Sequence, residues 1–163
     1  ISTPLIAHWP AGIPAARSGK LEPQPGHLVD LMATACDVTG AVYPSEFKGR
    51  RILPAEGISL VPAFAGRSLH RVKPLFWEHE GNRALRSGPF KLVMKYKGPW
   101  ELYNIDEDRT EQHNIIDKFP AMRDHLIRQW RDYAATAFVD DWTGPARNEW
   151  GEEIREKKKR ETP

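Results

Sequence analysis

Between Pro74 and Ile105 four short β-rich runs, Pro74–His79, Asn82–Arg86, Phe90–Tyr96 and Trp100–Ile105, are separated only by turn signals at Gly81, Ser87-Gly88-Pro89 and Gly98-Pro99. Loops this short cannot carry a crossover, so neighbouring strands run antiparallel and the segment reads as a meander. In the third run Phe90, Leu92, Met94 and Tyr96 alternate with Lys91, Val93, Lys95 and Lys97, which predicts one face on a core and one toward water. Such a sheet needs a cover. Over Pro120–Phe138, Met122, Leu126, Trp130, Tyr133, Ala134, Ala137 and Phe138 form one apolar stripe, and Pro120 suits a first helical turn. The spacing predicts a helix that buries Trp130 and Phe138 against the sheet.

The residues before the sheet are organised differently. The run Pro4-Leu5-Ile6-Ala7-His8-Trp9-Pro10 reads as a short buried strand. With nothing before Ile1 to cover it, the chain is expected to start in the middle of a domain. Ala11–Gly26 reads as loop. From His27 to Thr39, Leu28, Leu31, Met32, Ala35 and Val38 recur at helical steps, and Gly40 stands where a left-handed cap is wanted. Residues 41–72 are punctuated by proline and glycine into a connector with one helical turn near Leu60–Phe64. The far end, Glu152–Arg160, mixes both charge signs and reads as a solvated tail. The expected organisation is therefore 1–72, 73–140 and a polar tail over 141–163. The 14 prolines and 6 tryptophans in 163 residues fit short strands and loops better than a helical bundle.

Charge and cysteine content remove several functions. Twenty-four Lys+Arg against 22 Asp+Glu, interleaved along the chain, leave no footprint for nucleic acid. The apolar runs are too short for a membrane span. Of the histidines, His8, His27, His70, His79, His113 and His125, none has zinc-ligand spacing, and Cys36 is the sole cysteine. Asp106–Glu111 lacks the glycine and reach of a calcium loop and reads as a turn closed by Asp and Thr side chains. There is no nucleophile elbow, phosphate loop or dinucleotide fingerprint. The richest polar cluster is Trp77-Glu78-His79-Glu80-Gly81-Asn82-Arg83, at the end of an otherwise apolar strand. It is either a polar hairpin turn or a rim facing a cleft.

Several strings together resemble one family. Ile1–Ile13 is similar to the segment of type I, arylsulfatase-like sulfatases that follows their Glu-Gly-Gly turn. His27–Thr34 with Asp37 and Gly40 resembles a family helix, Gly57–Leu60 a loop, and Phe76–Arg86 the Trp-Glu-His-Glu-Gly-Asn-Arg-Ala-x-Arg motif. Lys91-Leu92, Glu101–Ile105, Glu111 and Asn114-Ile115 resemble its closing strands and connector. The departures are Asp108-Arg109, where Asp-Pro is common, and Ala33, where proline is common.

The resemblance, which covers about residues 1–138, implies an alkaline-phosphatase-like α/β fold, α+β within this segment. The segment would hold the end of the large catalytic domain and a small C-terminal domain of four antiparallel strands with a packed helix. It implies sulfate ester hydrolysis by a hydrated formylglycine assisted by calcium, Lys, His and Arg. Cys36 lacks the Pro and Arg that the formylglycine motif requires, and the family's calcium ligands lie upstream of Ile1. Catalytic and metal residues are thus expected to be none here, with the segment inactive by itself and completed by the N-terminal part of the same sulfatase. Because the loop opening the small sheet lies near the active-site mouth in this family, His79 and then Asn82 are the expected contacts to a sulfated small molecule or glycan. A periplasmic or extracellular location follows from the resemblance alone. The alternatives are a stand-alone binding or structural module derived from this fold, and a phosphoester hydrolase relative.

Overall fold

A computed structural model describes residues 3–145, and the chain divides into two compact units at Val72/Lys73. The charged run Glu152–Arg160 lies outside the described residues. Among those described, no helix is long and apolar enough to cross a membrane.

In the first unit helix α1 spans Val29–Thr39 and stops where Gly40 takes φ 72° and ψ 9°. Its start is held by its own side chains. His27 Nδ1 accepts the Val29 N–H at 3.3 Å, and Asp30 Oδ2 accepts the His27 N–H at 2.7 Å, a reciprocal arrangement that satisfies two donors the helix cannot use. A small hairpin, β1 (Glu46–Phe47) and β2 (Arg50–Arg51), follows, then the single turn α2 (Val61–Phe64). The first corresponds to nothing expected from the sequence, the second to the expected turn. Asp30 is fully buried and also accepts from the Ile58 N–H at 2.9 Å and from the Arg71 guanidinium at 2.6 Å. Thr34 Oγ1 accepts the Leu60 N–H at 2.9 Å. Polar stitching therefore ties α1 to residues 58–71, because among the described residues here only Asp30, Leu60 and Ala63 are buried.

Pro4–Trp9 is not a strand, contrary to its apolar pattern. No described strand pairs with it, and Ile6 is 90% exposed. An extended run gains ladder hydrogen bonds only from a neighbouring strand, and an apolar composition does not supply one.

The second unit is the expected meander. Strands β3 (Leu75–His79), β4 (Asn82–Ser87), β5 (Phe90–Met94) and β6 (Trp100–Asn104) pair antiparallel in sequence order. Their register aligns Phe76, Leu85, Leu92 and Leu102 in one row across the sheet. Helix α3 (Pro120–Thr136) lays Leu126 and Trp130 over that row, forming the core. Each leucine so buried contributes about 2 kcal/mol before entropy is counted. Phe76 stacks on Tyr133 with centroids 4.2 Å apart, and Trp100 meets Trp130 at 6.0 Å. On the outer side of β6, Asn114 Oδ1 accepts the Leu102 N–H at 3.1 Å, and the Leu102 carbonyl accepts the Ile115 N–H at 2.8 Å, so that edge is occupied.

Two packing expectations are corrected. Phe138 does not join the core: the helix ends at Thr136, Phe138 adopts φ 55°, and its ring is 80% exposed, while Val139 packs instead. The second face of the sheet is not simply solvated either. Leu75, Ala84 and Tyr103 are buried there, Tyr103 donates to Glu101 Oε2 at 2.8 Å, and Lys91 pairs with Glu111 reaching back from the connector.

Candidate functional site

The polar cluster forms the β3–β4 hairpin tip. A two-residue loop, Glu80-Gly81, joins the strands with φ 52° and 79°, the double positive φ that suits the right-handed twist of a hairpin. Residues alternate between faces, so His79 and Asn82, directly paired, share the face away from α3, whereas Glu78 and Arg83 share the helix side. Arg83 lies over the Trp130 ring at 4.6 Å, which accounts for a cation close to the core.

Most of the cluster's polarity goes into building the turn. Glu78 Oε1 accepts the Gly81 N–H at 2.8 Å. Asn82 Nδ2 donates to the His79 carbonyl at 2.8 Å, and its Oδ1 accepts the Tyr96 N–H at 3.1 Å. Asn82 keeps one amide hydrogen beyond these bonds. The His79 imidazole is exposed and has no hydrogen bond or ion pair within the described residues. The structure thus brings His79 and Asn82 side by side, the first presented outward and the second partly spent on the backbone.

Two residues at this end of the sheet were not singled out by the sequence reading. Tyr96, in the β5–β6 turn, donates its phenolic O–H to the Trp142 carbonyl at 3.0 Å. Trp142 belongs to a segment after α3 that folds back over the tip, with Arg83 3.5 Å from Asp141. A Cβ built on Gly81 would lie 2.5 Å from Tyr96 Cδ2 and 3.0 Å from Trp142 Cβ, so glycine is required by contact as well as by φ. The only sequence signal for Trp142 was a tryptophan in an otherwise polar run.

Nothing in the described residues suits the groups that the family uses for chemistry. No set of three His, Cys, Asp or Glu side chains converges to hold a metal ion among them. Cys36 is half-buried within α1. The Asp108 carboxylate accepts the N–H groups of Gln112 and His113 at 3.0 and 2.7 Å, and these bonds hold its pKa below the usual carboxylate value. It closes a turn. Among the described residues no group of side chains fits calcium.

No family model matches the sequence. Over 119 residues the chain is 28% identical to an uncharacterised sulfatase of Schizosaccharomyces pombe, a match covering 69% of this chain and 22% of that protein. Over 140 residues it is 28% identical to arylsulfatase K of Danio rerio, covering 76% and 25% respectively. Its fold is similar to the crystal structure of Ps i-CgsB in complex with k-i-k-neocarrahexaose, with TM-score 0.62 and 25% identity over 78% of this chain and 27% of that one. The sheet, its packed helix and these neighbours define an alkaline-phosphatase-like α/β fold. The chain is similar to part of each of these sulfatases, as a C-terminal portion of such a protein would be. It spans about a quarter of the length of the curated relatives it matches.

Proposed function

We propose that the complete protein carrying this sequence hydrolyses sulfate esters, and that this segment supplies one wall of the substrate pocket. The observation that supports the reading is the hairpin tip, where the string Trp77–Arg86, similar to a sulfatase motif, presents the His79 imidazole outward on a hydrogen-bonded turn. The His79 imidazole N–H donates to a sulfate oxygen or a sugar hydroxyl, and the spare amide hydrogen of Asn82 is a second donor on the same face. The substrate class we infer is a sulfated small molecule or glycan. The complex of the fold neighbour with neocarrahexaose favours the glycan. The nucleophile, calcium and their ligands come from the N-terminal part of the same sulfatase, so residues 1–163 alone are expected to have no turnover. A periplasmic or extracellular location is the corresponding proposal.

The test is kinetic. The complete protein should release sulfate from 4-methylumbelliferyl sulfate or a sulfated oligosaccharide, and His79→Ala should raise KM about tenfold, the loss of one charge-assisted hydrogen bond. Turnover of phosphate esters in place of sulfates by the complete protein, or turnover by residues 1–163 alone, would refute the reading.

A further inference from the structure

The imidazole of His79 finds no partner among the described residues, so its position is set by its own backbone. That backbone sits at the end of β3, which among the described residues is an outer strand of the sheet with β4 as its single ladder neighbour. Strand ends restrained from one side fray readily. A continuous hydrogen-bonded line runs from the segment after α3 to this point. The Trp142 carbonyl accepts the Tyr96 O–H, the Tyr96 N–H donates to Asn82 Oδ1, and Asn82 Nδ2 donates to the His79 carbonyl. Its members lie 46, 14 and 3 residues apart in sequence, so no single local element provides it.

We propose that Tyr96 and Trp142 are positioning residues that hold His79 in its substrate-facing place, acting through Asn82. This rests on the reading of His79 as a substrate contact. Packing reinforces the hydrogen bonds: the Tyr96 ring and Trp142 Cβ close over Gly81, leaving no room for even a methyl group there. The turn that carries His79 is thereby clamped from above, and Asp141 and Trp142 belong to the site.

The experiment uses the complete protein and Tyr96→Phe, which deletes one hydroxyl and keeps the ring over Gly81. Side-chain NMR relaxation reads the mobility of the His79 imidazole, and 4-methylumbelliferyl sulfate is the kinetic probe. The expected result is a more mobile His79 ring and a KM raised about three- to fivefold, the loss of one neutral hydrogen bond, with a smaller change in kcat. In a His79→Ala background the same substitution should leave KM where His79→Ala alone puts it. Unchanged His79 relaxation in Tyr96→Phe, or a KM effect that persists in full without His79, overturns the proposal. If His79→Ala itself leaves the kinetics at wild-type values, the substrate-contact reading fails, and with it the positioning of His79 for substrate. The relaxation arm then still reports whether the clamp holds the tip. Should Tyr96→Phe not fold, Asn82→Asp keeps the acceptor for the Tyr96 N–H but cannot donate to the His79 carbonyl, and is read by the same two measurements.

Discussion

Substituting alanine at two glycines of the same sheet separates backbone strain from steric exclusion. Gly81 and Gly88 both take positive φ, 79° and 56°, so each alanine variant meets the left-handed penalty of about 1 kcal/mol. Their surroundings differ. A Cβ on Gly88 meets nothing within 4 Å, whereas one on Gly81 lies 2.5 Å from Tyr96 Cδ2. The Tyr96 ring cannot simply swing aside, because its hydroxyl is tied to the Trp142 carbonyl. Overpacking of this kind costs about 2 kcal/mol more. Gly81→Ala should therefore lose about 3 kcal/mol in all, against about 1 for Gly88→Ala. For a unit this size the gap corresponds to roughly 10 °C in Tm. Urea and thermal unfolding followed by tryptophan fluorescence reads it, since Trp77, Trp100, Trp130 and Trp142 all lie in this unit. Equal losses from the two substitutions, within about 0.5 kcal/mol, would show that the contact over Gly81 carries no weight.

Three other outcomes are expected. Leu92→Ala, at a fully buried site between Leu85 and Leu102, should destabilise the sheet unit by about 3 kcal/mol with an unchanged urea m-value, as measured by equilibrium unfolding. Burial chiefly pushes the His27 pKa below its ordinary 6.5, so the folded state favours the neutral ring whose Nδ1 accepts the Val29 N–H. The resulting stability is complete above pH 6.5 and falls as pH drops from there through the lowered folded value, so amide exchange at Val29 should accelerate on acidification and lose that dependence in His27→Asn. Burial first, then the Glu101 carboxylate, pushes the Tyr103 phenol from 10.0 to about 12. Its contribution is intact below pH 10 and is lost as pH rises toward 12, which an ultraviolet phenolate titration of wild type against Tyr103→Phe would resolve.

The sheet and its helix were legible because each is a local period: alternation over Phe90–Met94 and three-to-four spacing over Met122–Trp130 survive folding unaltered. Periodicity fails at edges. The apolar stripe runs on through Phe138 although the helix ends at Thr136, and no glycine or proline marks the stop. Pro4–Trp9 has a strand's composition but no described partner, and composition does not carry pairing. Asp30 carries no local signal of its role, because its partners Ile58 and Arg71 are 28 and 41 residues away. At the candidate site the cluster Glu78–Arg83 was visible as polarity. That Glu78 and Asn82 serve the backbone while His79 points outward follows from turn geometry, which no residue count supplies.

The first unit's economy of buried residues has a practical corollary for anyone who handles this polypeptide. Leu28 is 80% exposed, and Leu31, Met32, Val38 and Val42 are exposed as well. When residues 1–163 are handled alone, greasy side chains on that scale favour self-association in dilute buffer, adhesion to hydrophobic resins and capture by chaperones. For that isolated segment, purification yield should rise and light scattering fall when Leu28 and Val42 are replaced by glutamate or lysine, without disturbing the carboxylate knot at Asp30.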